Sequence, residues 1–268
     1  MPTQLMLGLL LAALIALLAW RAKALDPSGA VAAAISGGLI FSLGGLDWAA
    51  LLLTFFISSS ILSRSFARRK AGISEKFSKG SRRDWGQVLA NGGLGAMLAL
   101  LSNLLPGQSW PWIAYAGAMA AVNADTWATE LGVLSRRPPR LITNGKIVEP
   151  GTSGGVSLLG SLVALGGAAL VGIVAALFSG DAWLILAACL GGLAGSFFDS
   201  LLGATIQAIY TCPVCRKETE RHPQHSCGNP THLLRGWPWL NNDVVNFACS
   251  LAGALAGAAL YALMRQLL

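Results

Sequence analysis

Eight apolar stretches, at about 4–20, 28–46, 48–63, 86–105, 111–134, 154–178, 182–207 and 243–264, take up nearly two thirds of this chain. Roughly twenty predominantly apolar residues cross a bilayer as a helix. Lipid offers the backbone no hydrogen-bond partner, so each stretch has to satisfy its own N–H and C=O groups, which selects helices. Only 12% of the 268 residues are charged, against about a quarter in a soluble domain. The expectation is an all-α polytopic membrane protein with about eight transmembrane helices, forming one membrane domain over 1–268. The third stretch is short, and the fifth and seventh carry charges, so their limits are the softest.

Orientation follows from the loops. The opening segment MPTQLMLGLLLAALIALLAWRAKA ends like a cleavable signal, but Arg21 and Lys23 follow its apolar run. A signal peptide carries its positive charge before that run, so the segment reads as a retained helix with its N-terminus outside. Threading eight helices from there puts loops 64–84, 136–149 and 208–241 on the cytoplasmic side. The first holds Arg64, Arg68, Arg69, Lys70, Lys76, Lys79, Arg82 and Arg83; the others add Arg136, Arg137, Arg140, Lys146, Arg216, Lys217, Arg221 and Arg235. The intervening loops GGLD, LPGQSWP and SGD contain no Lys or Arg. That is the positive-inside pattern, and it accounts for the net charge of +7 without nucleic acid. The expected location is the inner membrane of a prokaryotic cell, with the site facing the cytoplasm.

Polar residues then collect at one depth. Asp125, Thr126, Thr129 and Glu130 lie near the cytoplasmic end of the fifth helix, and EPGTSGGVS (149–157) leads into the sixth. GSFFDSLLGATIQ ends the seventh, LNNDVVNF opens the eighth, and DWGQVLANGG opens the fourth. Ser196, Asp199, Gly203 and Gln207 form one helical stripe, and Gln87/Asn91 and Asn242/Asn246 are i,i+4 pairs. Asp125 and Glu130 fit less well, because five residues rotate about 140° on a helix. A charge at membrane depth costs roughly 3 kcal/mol or more unless it faces a polar cavity. Three carboxylates, Asp125, Asp199 and Asp243, at one level beside basic loops call for a cation. Mg²⁺ suits them, since it prefers oxygen ligands and uses one or two carboxylates together with substrate phosphates. Gly151, Thr152, Ser153, Gly154 and Gly155 before a helix make a candidate phosphate cradle, although Thr152 or Ser153 also suits a plain helix N-cap.

The loop at 208–241 holds CPVCRKETERHPQHSCGNPTH, with Cys212-x-x-Cys215 and then His225-x-Cys227. Two thiolates and a later His/Cys pair match a tetrahedral structural Zn²⁺ site, with His222 and His232 as rivals to His225. The loop reads as a zinc-ribbon-like staple separate from the active site. Cys189 and Cys249 sit in apolar runs as packing residues.

The segments RRDWGQVLANGG, NADTWATELG, PRLITNGKIVEPGTSGGVS, GSFFDSLLGATIQ and LNNDVVNF resemble, in content and order, those of an integral membrane family. That family includes transmembrane protein 19 of animals and the phytyl-phosphate kinase of plant plastids, and the likeness runs from about residue 29 to the end. The resemblance implies a CTP-dependent kinase that converts a prenyl monophosphate, of the phytyl or geranylgeranyl type, to its diphosphate. The partners would then be a membrane lipid and a nucleoside triphosphate. From position and chemistry, Asp125, Asp199 and Asp243 are expected to hold Mg²⁺, with Glu130 in support. Residues 151–155 would cradle phosphates, Arg82, Arg83, Arg140 and Lys146 would contact them, and Asn91, Asn242 and Asn246 would orient their oxygens. The same parts would serve a cytidylyltransferase that forms a CDP-lipid. A lipid or ion transporter is the third reading, but it requires polar groups through the midplane, where these helices carry few.

Overall fold

A computed structural model describes residues 2–66, 75–77, 79–80 and 82–267. Arg68, Arg69 and Lys70 of the first basic loop lie outside the described residues. Eight long helices follow one another: α1 (Pro2–Arg21), α2 (Pro27–Gly44), α3 (Leu46–Ser65), α4 (Trp85–Leu104), α5 (Trp110–Gly132), α6 (Leu158–Ser179), α7 (Trp183–Thr205) and α8 (Asn242–Gln266). Seven of them are long and apolar enough to cross a membrane; α5 is not among these.

The exception has a packing cause. α5 packs against α3, α4, α6, α7 and α8, and from Ile113 to Ala124 every residue is buried. A helix sheathed by others needs small side chains more than a lipid-loving surface, and Ala, Gly and Asn dominate its middle. Close approach is visible where a methyl added at Gly117 would sit 2.5 Å from the Gly253 carbonyl oxygen of α8. Small residues at such crossings are the usual means of association in lipid. The large exposed apolar side chains lie elsewhere, as on α1 with Met6, Leu10 and Leu18.

Helix ends are set by local chemistry. Asp26 caps α2 through the Gly29 N–H at 2.7 Å. Asp84 and Gln87 form a reciprocal capping box at the start of α4. Asn241 caps α8 through the Val244 N–H. α6 starts at Leu158, four residues later than the apolar run suggests, because its N-cap is Ser157.

The loops expected on one side do meet on one side. Lys76 pairs with Glu149 at 2.7 Å, and Lys217 pairs with Glu75 at 2.8 Å. The Glu220 N–H donates to the Lys76 carbonyl, and the Arg83 N–H to that of Ala24. Two small antiparallel sheets stand on this face. β1 (Arg140–Leu141) pairs with β2 (Gly155–Val156), and β3 (Ile209–Cys212) lies between β4 (Lys217–Thr219) and β5 (His232–Arg235).

Candidate functional site: a carboxylate cavity at the loop face

A cavity of about 150 Å³ opens where the inner ends of α5, α6 and α7 meet the loops. α5 contributes Asp125 and Thr129, α7 contributes Ser196, Asp199 and Ser200, and α8 contributes Asn242. All five residues of the glycine-rich segment, Gly151, Thr152, Ser153, Gly154 and Gly155, line it, as does Ser157 at the start of α6. Asp125 lies seven residues before the end of α5, about 10 Å inside the helix terminus. Ser196 donates to Asp125 across the cavity at 3.4 Å, whereas Asp199 Oδ2 is sealed from solvent with no partner among the described residues.

The glycine-rich turn is pressed onto α7. Gly154 has φ +83°, and its carbonyl accepts from the Ile142 N–H at 3.0 Å. Ser153 Oγ donates to Gln207 Oε1 at 2.7 Å, and Gln207 Nε2 donates to Glu220 Oε1 at 3.0 Å. Glu220 itself lines the cavity. A third carboxylate therefore enters from the cysteine-bearing loop, which the sequence had suggested was a staple alone. No periodicity marks it: within KETER it is one acid among charged neighbours, and only the pairing of Tyr210 with Thr219 aims the chain there.

Asp243 does not join this set. Neighbours on a helix point about 100° apart, so with Asn242 in the cavity Asp243 faces α4. There it forms an ion pair with Lys79, which also reaches Asp84 Oδ2 at 2.8 Å. Burial pulls the Lys79 ammonium down, but hydrogen bonds and charge from Asp243 and Asp84 leave it above its ordinary 10.5. Asn246 is half-buried one turn further along α8 and does not line the cavity.

Glu130 also leaves the set. It accepts from Ser63 Oγ of α3 at 2.7 Å, on the far side of α5 from Asp125, as their five-residue spacing implied. Arg83 and Asn91 line a different, apolar cavity among α1 to α4. Arg82 is exposed. Arg140 is tied to its own turn, donating to the Gly145 carbonyl at 2.8 Å, and Lys146 is exposed beside it. Among the described residues lining the carboxylate cavity, none is Lys, Arg or His. Lys76, Arg216 and Lys217 line a broad outer groove. That groove shares Pro150, Gly151, Thr152, Ser153 and Glu220 with the cavity.

The cysteine loop can hold a metal ion. One ligand atom from each of Cys212, Cys215, His225 and Cys227 lies within 4.8 Å of the others, the tightest such cluster among the described residues. Cys212 Sγ is 3.6 Å from Cys227 Sγ, which is 3.2 Å from His225 Nδ1. His222 stacks on Tyr210, and His232 is exposed on β5, which decides the contest for the fourth ligand in favour of His225. Two thiolates, a third and an imidazole suit Zn²⁺. Asp125, Asp199 and Glu220 do not form such a cluster among the described residues.

A family model described as "Integral membrane protein DUF92" matches residues 10–254. Protein PGR of Arabidopsis thaliana is 34% identical over 277 residues, which cover 92% of this chain and 93% of PGR. A protein of Methanocaldococcus jannaschii described as an uncharacterized membrane protein is 31% identical over 259 residues, covering 96% of this chain and 94% of its own. One of Synechocystis, described in the same words, is 28% identical over 233 residues, covering 81% and 78%. No solved structure matches the chain.

Proposed function

The chain belongs to the DUF92 family of integral membrane proteins, and from that membership and its carboxylate cavity we propose a Mg²⁺-assisted phosphotransferase for membrane lipids. The donor is a nucleoside triphosphate, CTP on the family resemblance, and the acceptor is a prenyl monophosphate of the phytyl or geranylgeranyl type. One observation carries this reading: three carboxylates, Asp125, Asp199 and Glu220, line one cavity with a glycine-rich turn, and no basic residue is among its described lining residues.

Such a space repels phosphate unless a cation enters with it, and the sealed, unpartnered Asp199 Oδ2 fits a metal oxygen contact. The chemistry that Mg²⁺ would supply here is neutralisation of the charge that builds on the phosphates during transfer. Asp125 and Asp199 are the residues to hold it, with Glu220 opposite. The N–H groups of Ser153 and Gly154 have no acceptor among the described residues and are free to take phosphate oxygens. The start of α6 adds the positive end of its dipole. The basic outer groove suits the rest of the nucleotide, and the half-open edge at Phe197 suits a hydrocarbon tail arriving from the membrane.

In the reaction an acceptor phosphate oxygen bonds to the γ-phosphorus, the bond from γ-phosphorus to the β–γ bridging oxygen breaks, and the nucleoside diphosphate leaves. The acceptor oxygen is already anionic, so no general base is required. That agrees with the described lining of the cavity, which includes no histidine. Alignment and charge stabilisation are what the residues have to supply.

The test is product identity. Purified protein with Mg²⁺, CTP and geranylgeranyl phosphate is expected to yield CDP and the lipid diphosphate. Pyrophosphate and a CDP-lipid would instead indicate attack at the α-phosphate, and absence of product with any nucleotide would refute the reading. Asp199→Asn should lower turnover by about 100-fold or more while the protein elutes and melts as the parent does.

A further inference from the structure

A second cavity, of about 220 Å³, lies among α1, α2, α3 and α4, on the opposite side of α5 from the carboxylates. Its walls are hydrocarbon, apart from a stripe on and just before α4 made of Arg83, Gln87 and Asn91, and Ser36 of α2. Along α3 it runs from Leu46 to Phe56, about 15 Å at helical rise. α1 and α3 flank it without packing against each other as α1 and α2 do. Ile15 and Leu46 at this seam are exposed, so the cavity communicates sideways with the bilayer.

Arg83 is an unusual residue to find at its inner end. Two of its N–H donors go to Ser60 Oγ at 3.0 Å and Ser59 Oγ at 2.8 Å, and its guanidinium lies 5.4 Å from the ring centres of both Phe55 and Phe56. Among the described residues no carboxylate is within ion-pair distance of it. Burial lowers it to about 10, with only part of that offset by the charge of Glu130. A guanidinium has five donors in a planar fork suited to carboxylate or phosphate oxygens. A half-buried cation held against aromatic rings without an anion in contact is costly, and a hydrocarbon-lined space does not take up water. Both deficits are met by one kind of molecule.

We propose that this cavity is a binding site for a membrane lipid with an anionic head: one hydrocarbon chain enters between α1 and α3, and the head oxygens rest on Arg83. The site is separate from the transfer cavity. The two cavities share no described lining residue, so a phosphate on Arg83 is not presented to Asp125, Asp199 and Glu220. The lipid here is bound, not turned over.

The full chain is purified in mild detergent, delipidated and placed in nanodiscs of mixed phosphatidylcholine and phosphatidylglycerol. Native mass spectrometry then counts the lipid that stays on after release. One phosphatidylglycerol per chain is expected. Arg83→Gln should cut the preference for phosphatidylglycerol over phosphatidylcholine by about tenfold, the worth of a hydrogen bond to a charged group. Arg83→Lys, which keeps the charge, should retain most of it and covers the case in which the Gln variant fails to fold. Ala33→Phe, which fills the cavity, should lose the adduct with the melting temperature unchanged or raised. No retained lipid, retention indifferent to head charge, or an undiminished adduct in Ala33→Phe would overturn the proposal. A chain that transfers no phosphoryl group yet keeps the adduct would leave this site standing.

Discussion

Replacing Gly154 by Ala separates a structural glycine from a functional one. At φ +83° an alanine is strained, and its methyl would lie 2.5 Å from both Cβ and N of Ala204 on α7 and 2.6 Å from its Cα. Carbon atoms pack at about 3.5–4.0 Å, and α7 cannot yield, being packed against α5, α6 and α8. The glycine-rich turn therefore has to lift off the helix by about 1 Å, carrying with it the N–H groups of Ser153 and Gly154. The left-handed backbone costs about 1–2 kcal/mol. A shift of that size at a site that acts by alignment costs about 100-fold in rate. Gly145 supplies the control: it has φ +70° in the neighbouring turn, but nothing lies within 4 Å of where its methyl would go. Gly145→Ala should melt at a lower temperature by a similar strain energy and keep turnover within about threefold. Gly154→Ala should lose at least that stability, since its clash adds to the strain, and about two further decades of turnover. Steady-state kinetics with saturating nucleotide, beside thermal melts of both variants, measures the difference. Equal turnover in the two would mean that the turn at 151–155 is not part of the transfer machinery.

Two more perturbations test how the loop face is held together. Cys212→Ser should reduce bound zinc from one per chain to none and lower turnover along with it, because Glu220 is aimed by the strands that this cluster ties; zinc-free protein with parental turnover would show that strand pairing alone positions Glu220. Lys79→Met should destabilise by about 1–3 kcal/mol, leaving the part-buried Asp243 and Asp84 without their cation. Because Lys79 lies above 10.5 when folded, its contribution is fully present below that value and is lost only as pH rises past the folded one. The stability gap between parent and variant should thus stay flat across neutral pH, and a gap that closes already in mild alkali would assign the effect to another group.

Much of this arrangement was legible in the chain because lipid enforces it. Apolar length marked the helices, and Lys and Arg marked the face on which loops 64–84, 136–149 and 208–241 now touch. The acids were harder. Asp125 and Asp199 declared themselves by being charged inside apolar helices, and they do share a cavity. Asp243 looked equivalent, yet it begins a helix one position after Asn242, and a single residue's rotation turns it towards Lys79. Arg83 looked like a loop cation and proves to be half-buried, with its guanidinium held by Ser59, Ser60, Phe55 and Phe56 of α3. Glu220 could not be found by such reasoning at all, since an acid in a polar loop costs nothing and leaves no anomaly to notice.

The low hydropathy of α5 carries the most consequence. A helix that satisfied lipid on its own would have an apolar surface all round, and its two acids would both have to turn towards one polar space. Sheathed by five neighbours instead, α5 exposes Asp125 to one interior and Glu130 to another. The first looks into the carboxylate cavity, where no described lining residue is Lys, Arg or His, and the second bonds to α3 and its charge reaches Arg83. On the readings proposed above, a metal with its phosphates belongs to the first space, and an anionic lipid head to the cavity that α1 to α4 line at Arg83.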